Sequence, residues 1–469
     1  MPAGTLAMYD TVIIGAGMSG LAAGIRLAYY DRRVCILERH TTIGGLNSFY
    51  RLGGRNYDVG LHAVTNYTPK GARKGPLARL LRQLRMQWED FGLAPQIGSE
   101  IAFPDVRMRF GNNFELFQAE VERCFPDQRD NFKKLLDKIV DYDDLKQDLF
   151  SITVRPILRE TITDPLLVEM ILCPIMWYGN PRARDMDFGL FCIMFRSIFL
   201  EGFARPFEGV RIILKKLVHK FRNLGGELKL RAGVSRIKVE NGRASGVVLE
   251  DGQELAARQV LSSAGWIETM RMCDEAEEVD ASQAGNLSFV EAIAVLDKQP
   301  RELDHHRTTL FFNDSEKFNW EQPDELCDVR TGVICSPNNF AYDDGASLDD
   351  GMIRITAQAN CDRWISLEDE EYQLAKLRCY DRVFESGVRF MPDVRNHIID
   401  TDMFTPKTIR RFTSHDNGAV YGSPRKKLDG ETPVSNLFLC GTDQGFVGII
   451  GAMFSGVAMA NRCLRSLVA

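Results

Sequence analysis

Neither sign of charge is in large excess in this chain. Its 58 Lys and Arg face 64 Asp and Glu, a formal net charge of −6 over 469 residues. That leaves no basic field of the kind that draws a protein onto nucleic acid. Metal-ligand spacing is missing as well. The 11 cysteines are scattered without a C-x-x-C pair and the 7 histidines are dispersed, so no metal site is expected. An odd number of unpatterned cysteines fits a reducing compartment, where most serve as small hydrophobes. Long apolar runs are scarce. The best, the uncharged stretch from Gln444 to Asn461, is Gly-rich, short for a bilayer span and preceded by Asp443. No internal repeat or low-complexity linker is visible. The apolar run Val12 to Ile14 opens a glycine motif and reads as a core strand, not as a cleaved signal. At this length two intimately joined domains are expected.

What the chain does have is concentrated near its two ends. Tyr9 to Ile14 is an apolar strand, followed by Gly15, Gly17 and Gly20 as G-x-G-x-x-G. A helical run from Leu21 to about Tyr30 follows, then a second apolar strand, Val34 to Leu37, ending in Glu38. This is a βαβ unit with the dinucleotide fingerprint in place. Gly15 permits the turn, Gly17 leaves room for a pyrophosphate over the helix N-terminus, and Gly20 lets helix and strand approach. Near the other end, Leu437 to Cys440 reads as a buried strand. Gly441, Thr442 and Asp443 follow, and Gly445, Gly448 and Gly451 precede a helix expected over Ala452 to Leu464. Glycines there allow the backbone close to a ring system, and the helix start can offer free N–H groups.

Between the ends the pattern is mixed. Lys70 to Met86 is basic, with leucines at helical spacing: a solvated helix face, or a patch for anionic lipid. A helix is expected over Asp130 to Leu149. Residues 151–205 are helical and in part very apolar, most of all Leu190 to Leu200. That segment is either packed core or the wall of a greasy tunnel opening toward a membrane. Asn241-Gly242 and Asp251-Gly252 between alternating runs are hairpin turns. Strands are expected at Leu287 to Leu296, Thr308 to Phe312, Gly332 to Cys335, Met352 to Asn360 and Ile398 to Phe404. One long helix is expected from Trp364 to about Ser386.

The segment after Glu38 carries a resemblance. Gly44-Gly45, then Tyr57, Asp58 and Gly60, resemble the start of the phytoene desaturase, carotenoid isomerase and retinol saturase group of flavoproteins, related more distantly to amine oxidases. The resemblance implies an α/β fold: a GR2-type Rossmann-like FAD-binding domain interleaved with an α+β substrate domain. The FAD domain would take residues 8–70, 206–285 and 406–469, and the substrate domain 71–205 and 286–405. It implies noncovalent FAD, since no Cys or His sits in an attachment motif. Around it would lie Gly15, Gly17, Ser19, Gly20, Glu38 at the ribose, Arg39, Gly44 and Gly45 along the diphosphate, and Leu46. Gly60 and Leu61, Val234 at the adenine edge, Gly441, Asp443 at the ribityl or diphosphate, Gly448 and Ile449 would complete it. Leu46 stands where many carotenoid desaturases have Arg, leaving Arg39 or Arg55 for the pyrophosphate. Gly60-Leu61-His62 resembles the Gly-Ile-His of the saturase branch.

The chemistry implied is FAD-dependent oxidoreduction at carbon–carbon bonds of a long hydrophobic isoprenoid, carotenoid or retinoid-like. A phytoene-desaturase-type reaction is expected, with a saturase or cis–trans isomerase as alternatives. His62, His415 and Tyr421 are the candidates for handling a proton. A quinone, oxygen or another electron partner would be needed. The expected location is cytoplasmic and peripheral to a membrane, through the basic segment 70–85 or the apolar segment 188–200. Two other readings are a flavin amine oxidase and a non-catalytic prenyl-binding escort. The oxidase would want an aromatic pair on the ring near the C-terminal helix, where the sequence offers only Phe446.

Overall fold

The computed structural model describes residues 8–60, 62–143, 152–274 and 279–467. Leu61 and the end of the helix expected through Leu149 lie outside the described residues. The helix itself spans Arg129–Val140.

Two seven-stranded sheets organise the chain. In the first, Glu227–Lys229, Val34–Leu37, Tyr9–Ile14 and Glu254–Ser262 run parallel in that order, and Leu437–Leu439 adds on parallel to the end of Glu254–Ser262. Strands buried on both faces read as unbroken apolar runs, which is why Val34–Leu37 shows no alternation. The start of Glu254–Ser262 pairs antiparallel with Arg243–Leu249, and that strand pairs with Val234–Glu240. Asn241 and Gly242 between them both have positive φ, 53° and 72°, as a tight right-twisting hairpin requires. This hairpin packs on one face of the sheet. On the other face lie the helices Met18–Ala28, Val210–Asn223 and Gly448–Ser466. The first and last approach so closely that a Cβ on Gly456 would stand 2.0 Å from the Ser19 carbonyl oxygen. The C-terminal helix starts four residues before the expected Ala452, and Gly448 and Gly451 lie inside it.

The second sheet has the order Ile398–Phe404, Ser288–Leu296, Gly351–Ala359, Cys327–Cys335, Thr309–Asn313, Ser99–Ala102, Arg107–Phe110. All pairings are antiparallel except Thr309–Asn313 with Ser99–Ala102. Alternation sends Val290, Ala292, Ala294 and Leu296 toward the helix Asp369–Gly387. Phe289 and Phe311 point the other way, into a helical layer. The single helix expected from Trp364 is two, Cys361–Ile365 and Asp369–Gly387. Glu368 between them is extended, and Asp369, Glu370 and Glu371 supply negative charge to a fresh N-terminus.

The helical layer settles the apolar segment. Phe188–Phe195 is a helix that widens into a π-helical turn over Arg196–Leu200. Phe195 and Phe199 are fully buried, and Phe199 stacks on Phe117 at 4.2 Å between ring centroids. Leu190–Leu200 is thus packed core of its layer. Among the described residues no helix is long and apolar enough to cross a membrane. The basic segment forms the helix Pro76–Leu84, which buries Leu77, Leu80, Leu81 and Leu84 and leaves Arg79, Arg82 and the following Arg85 exposed.

Candidate active site

A cavity of about 620 Å³ runs between the two sheets. Backbone builds one end. Strand Tyr9–Ile14 stops at Gly15, whose φ is 95°, and the helix Met18–Ala28 starts just beyond. The three fingerprint glycines answer to different constraints. A Cβ on Gly20 would lie 2.1 Å from the Gly15 carbonyl oxygen, so packing requires glycine there. At Gly17 φ is −76° and a Cβ would meet nothing nearer than the Gly44 oxygen at 3.9 Å. The protein leaves that space open, and a side chain would stand in the cavity. Gly45 likewise has only the Gly17 Cα near its Cβ position, at 4.0 Å. A cradle of this kind, open above a helix N-terminus, suits a diphosphate.

Of the other residues expected at a dinucleotide, Ser19, Arg39, Gly44, Leu46, Gly60 and Val234 line the cavity. Gly441, just after the strand Leu437–Leu439, and Gly448 and Ile449, at the start of the C-terminal helix, do so too. Glu38 is buried at the wall, and its carboxylate accepts from the N–H groups of Ala16 at 2.9 Å and His40 at 3.0 Å. Arg39 stands at the rim between Ser414 at 2.7 Å and Glu250 at 2.8 Å. Two expectations change. Arg55 lies on a hairpin away from the cavity, paired with Asp350 at 2.6 Å and Asp400 at 2.9 Å. Asp443 does not line the cavity either. It is buried behind it, accepting from the N–H groups of Trp266 at 2.7 Å and Ser423 at 2.8 Å, and so ties three loops together.

Side chains build the other end. Trp177 and Tyr178 from the helix Pro165–Gly179, Phe289 from the strand Ser288–Leu296 and Tyr421 from a loop make an aromatic wall. Phe446, the one aromatic the local sequence offers, is not part of it. The Tyr421 hydroxyl donates to the Trp177 carbonyl, and burial pushes its phenol up. His62 also lines this end. Its Nε2 lies 3.2 Å from Glu291 Oε2 and 3.0 Å from Thr356 Oγ1. Glu291 is buried and pairs through Oε1 with Arg354. Burial pushes the Glu291 carboxyl up, but the Arg354 guanidinium and the His62 ring more than offset this and hold it at about 2.

His62, His415 and Tyr421 all line the cavity, but among the described residues no hydrogen bond joins them; His415 pairs instead with Glu268, its Nδ1 3.4 Å from Glu268 Oε1. Glu291, Thr356 and Arg354, which meet His62 or its partner here, carry no motif in the sequence. The signal was a single acid in the apolar strand Ser288–Leu296 and a single arginine in its neighbour Gly351–Ala359. Charges in buried strands stay only when paired. Among the described residues no cluster of side chains could hold a metal ion.

Comparison with known proteins agrees with this architecture. A family model described as flavin containing amine oxidoreductase matches residues 18–464. The chain is 23% identical over 503 residues to prolycopene isomerase 2, chloroplastic, from an Oncidium hybrid cultivar, covering 98% of this chain and 84% of that protein. It is 22% identical over 538 residues to all-trans-retinol 13,14-reductase of Danio rerio, covering 97% and 86%. A solved oxidoreductase from Methanosarcina mazei superposes with a TM-score of 0.69 at 16% identity, over 96% of this chain and 99% of that one. At that identity the likeness is one of fold.

His415 makes stability depend on pH. Burial pushes its ring down, but the hydrogen bond and charge of Glu268 more than offset this and raise it above 6.5. The protonated ring therefore contributes stability fully below about pH 6.5 and loses it as pH rises through the raised folded value. His415→Gln should lower the melting temperature more at about pH 6 than at about pH 9. An equal loss at both, by thermal scans across pH, would show that the ring is held neutral.

Proposed function

The chain belongs to the flavin-containing amine oxidoreductase family, and from that premise we propose that it is an FAD-dependent enzyme acting on the double bonds of a long, conjugated, apolar isoprenoid, as a cis–trans isomerase or saturase and not as a desaturase. One observation carries the substrate class. Around His62 the cavity is aromatic, and its buried carboxylate, Glu291, is already neutralised by Arg354. An ammonium substrate would find aromatic faces but no unpaired anion beside them, whereas a polyene needs only the apolar wall. The direction rests on the relatives. Two that match nearly the whole chain are named for isomerising prolycopene and for reducing retinol.

The residues at the dinucleotide end fit FAD. Gly17, Gly44 and Gly45 would take the diphosphate, Glu38 the ribose, Val234 the adenine edge, and the start of the helix Gly448–Ser466 the ring. Bound there, FAD would supply the two-electron chemistry. The chain's own work is to orient and protect. Trp177, Tyr178, Phe289 and Tyr421 hold a flat apolar chain and exclude water, and His62 holds a proton at its ring. Reduction would draw two electrons from an outside reduced donor, a quinol or another reduced carrier. Isomerisation has no net demand.

Three measurements test this reading. Gly17→Val should fold normally yet lose FAD, because its side chain fills open cradle, whereas Gly20→Val should disturb the fold itself. Stoichiometric FAD in folded Gly17→Val would remove the cradle assignment. Anaerobic enzyme with reduced flavin, given poly-cis carotenoids and retinoids, should yield geometric isomers or saturated products by chromatography. If no polyene changes while an amine bleaches the oxidised flavin, the substrate class is wrong. The exposed Arg79, Arg82 and Arg85 support a peripheral site on an anionic membrane. Flotation with anionic vesicles should be lost when all three become Gln, and equal flotation would exclude that face.

A further inference from the structure

The hydrogen bonds around His62 close into a triangle, and the carboxylate in it favours one assignment of protons. Glu291 Oε1 is taken by Arg354 Nε and Nη2. Its Oε2 lies 3.2 Å from His62 Nε2 and 3.5 Å from Thr356 Oγ1, and Oγ1 lies 3.0 Å from the same Nε2. An ionised carboxylate only accepts. A bare Nε2 would set its lone pair against that anion, so Nε2 carries the hydrogen and Thr356 donates to Glu291. No hydrogen bond among the described residues engages Nδ1. The two ring nitrogens therefore have different tasks, set by the partner of one of them.

We propose that Glu291 is the positioning residue of the site, fixing the proton on His62 Nε2 so that Nδ1 is the nitrogen that gives and takes a proton at the substrate end of the cavity. Arg354 keeps Glu291 ionised and unable to donate. Its Nη2 also donates to the Asp58 carbonyl at 3.1 Å, which fixes the pair against the hairpin leading to His62. The groups facing His62 are few. Glu291 comes from Ser288–Leu296, Thr356 and Arg354 from Gly351–Ala359, and Cys335 from Cys327–Cys335 donates its thiol to the His62 carbonyl at 3.5 Å. Burial pushes that thiol up to about 11, so it stays neutral. Glu291 is thus the one anion that touches the ring among the described residues. The role rests on the proposed reaction only for its chemical use; the proton placement stands on geometry.

The experiment reads the proton directly. Holoenzyme labelled with ¹⁵N-histidine has 7 histidines to resolve, and His62→Gln identifies the signal that belongs to His62. Neutral His62 should appear as the Nε2–H tautomer in the wild type and move to a mixture or to Nδ1–H in Glu291→Gln, whose amide can donate. Glu291→Gln/Arg354→Gln removes the stranded charge should the single variant fold poorly, and the same shift is expected. With prolycopene as the probe, kcat should fall about 10-fold or more while KM changes less than about twofold. A folded, flavin-loaded variant that keeps the Nε2–H tautomer overturns the proposal. Failure of the wild type to turn over prolycopene would count against the reaction, while the tautomer measurement still decides the role of Glu291.

Discussion

A buried cation, Arg354, is the constraint around which the two halves of the molecule meet. A guanidinium taken wholly out of water must be paired, and removing one partner of such a pair costs about 3–5 kcal/mol. Arg354 meets Glu291 on the neighbouring strand and the carbonyl of Asp58 on the hairpin. Asp58 in turn pairs with buried Arg205 and accepts from the Val210 N–H, 3.0 Å away, at the start of a helix that packs under the first sheet. A chain of buried charge and hydrogen bonds thus runs from the second sheet to the helices of the first. Against a net stability of about 5–15 kcal/mol, each link is large enough to hold the two sheets in register across the cavity.

The cavity inherits its chemistry from that arrangement. At one end the wall is main chain, because glycines at Gly17 and Gly45 withhold side chains and a helix N-terminus faces the opening. Such an end discriminates by shape and partial charge. At the other end the wall is side chain and largely aromatic, with Glu291, His62 and Arg354 locked to one another. In the proposed reading the first end would take a polar dinucleotide and the second an apolar chain, each by the kind of surface it presents.

Much of the glycine-built end of the cavity was legible in the sequence because it depends on local geometry. A strand, three spaced glycines, a helix, a second strand and Glu38 are contiguous, and turn and packing constraints act within about thirty residues. The same holds for the Asn241-Gly242 hairpin, where two positive φ angles demand those residue types. Apolarity was legible at Leu190–Leu200 but not its use, since a packed core and a tunnel wall ask for the same side chains. Long-range pairing was not legible at all. Trp177, Phe289 and Tyr421 share a wall only because helices and strands far apart in the chain pack together, and Asp443 turns to backbone N–H groups of distant loops. By itself the sequence determined the cradle and the strand and helix periodicities, which arise from neighbours in the chain. Only the tertiary structure decided that His62 stands on Glu291 and His415 on Glu268, because a proton's place depends on which charge is folded against it.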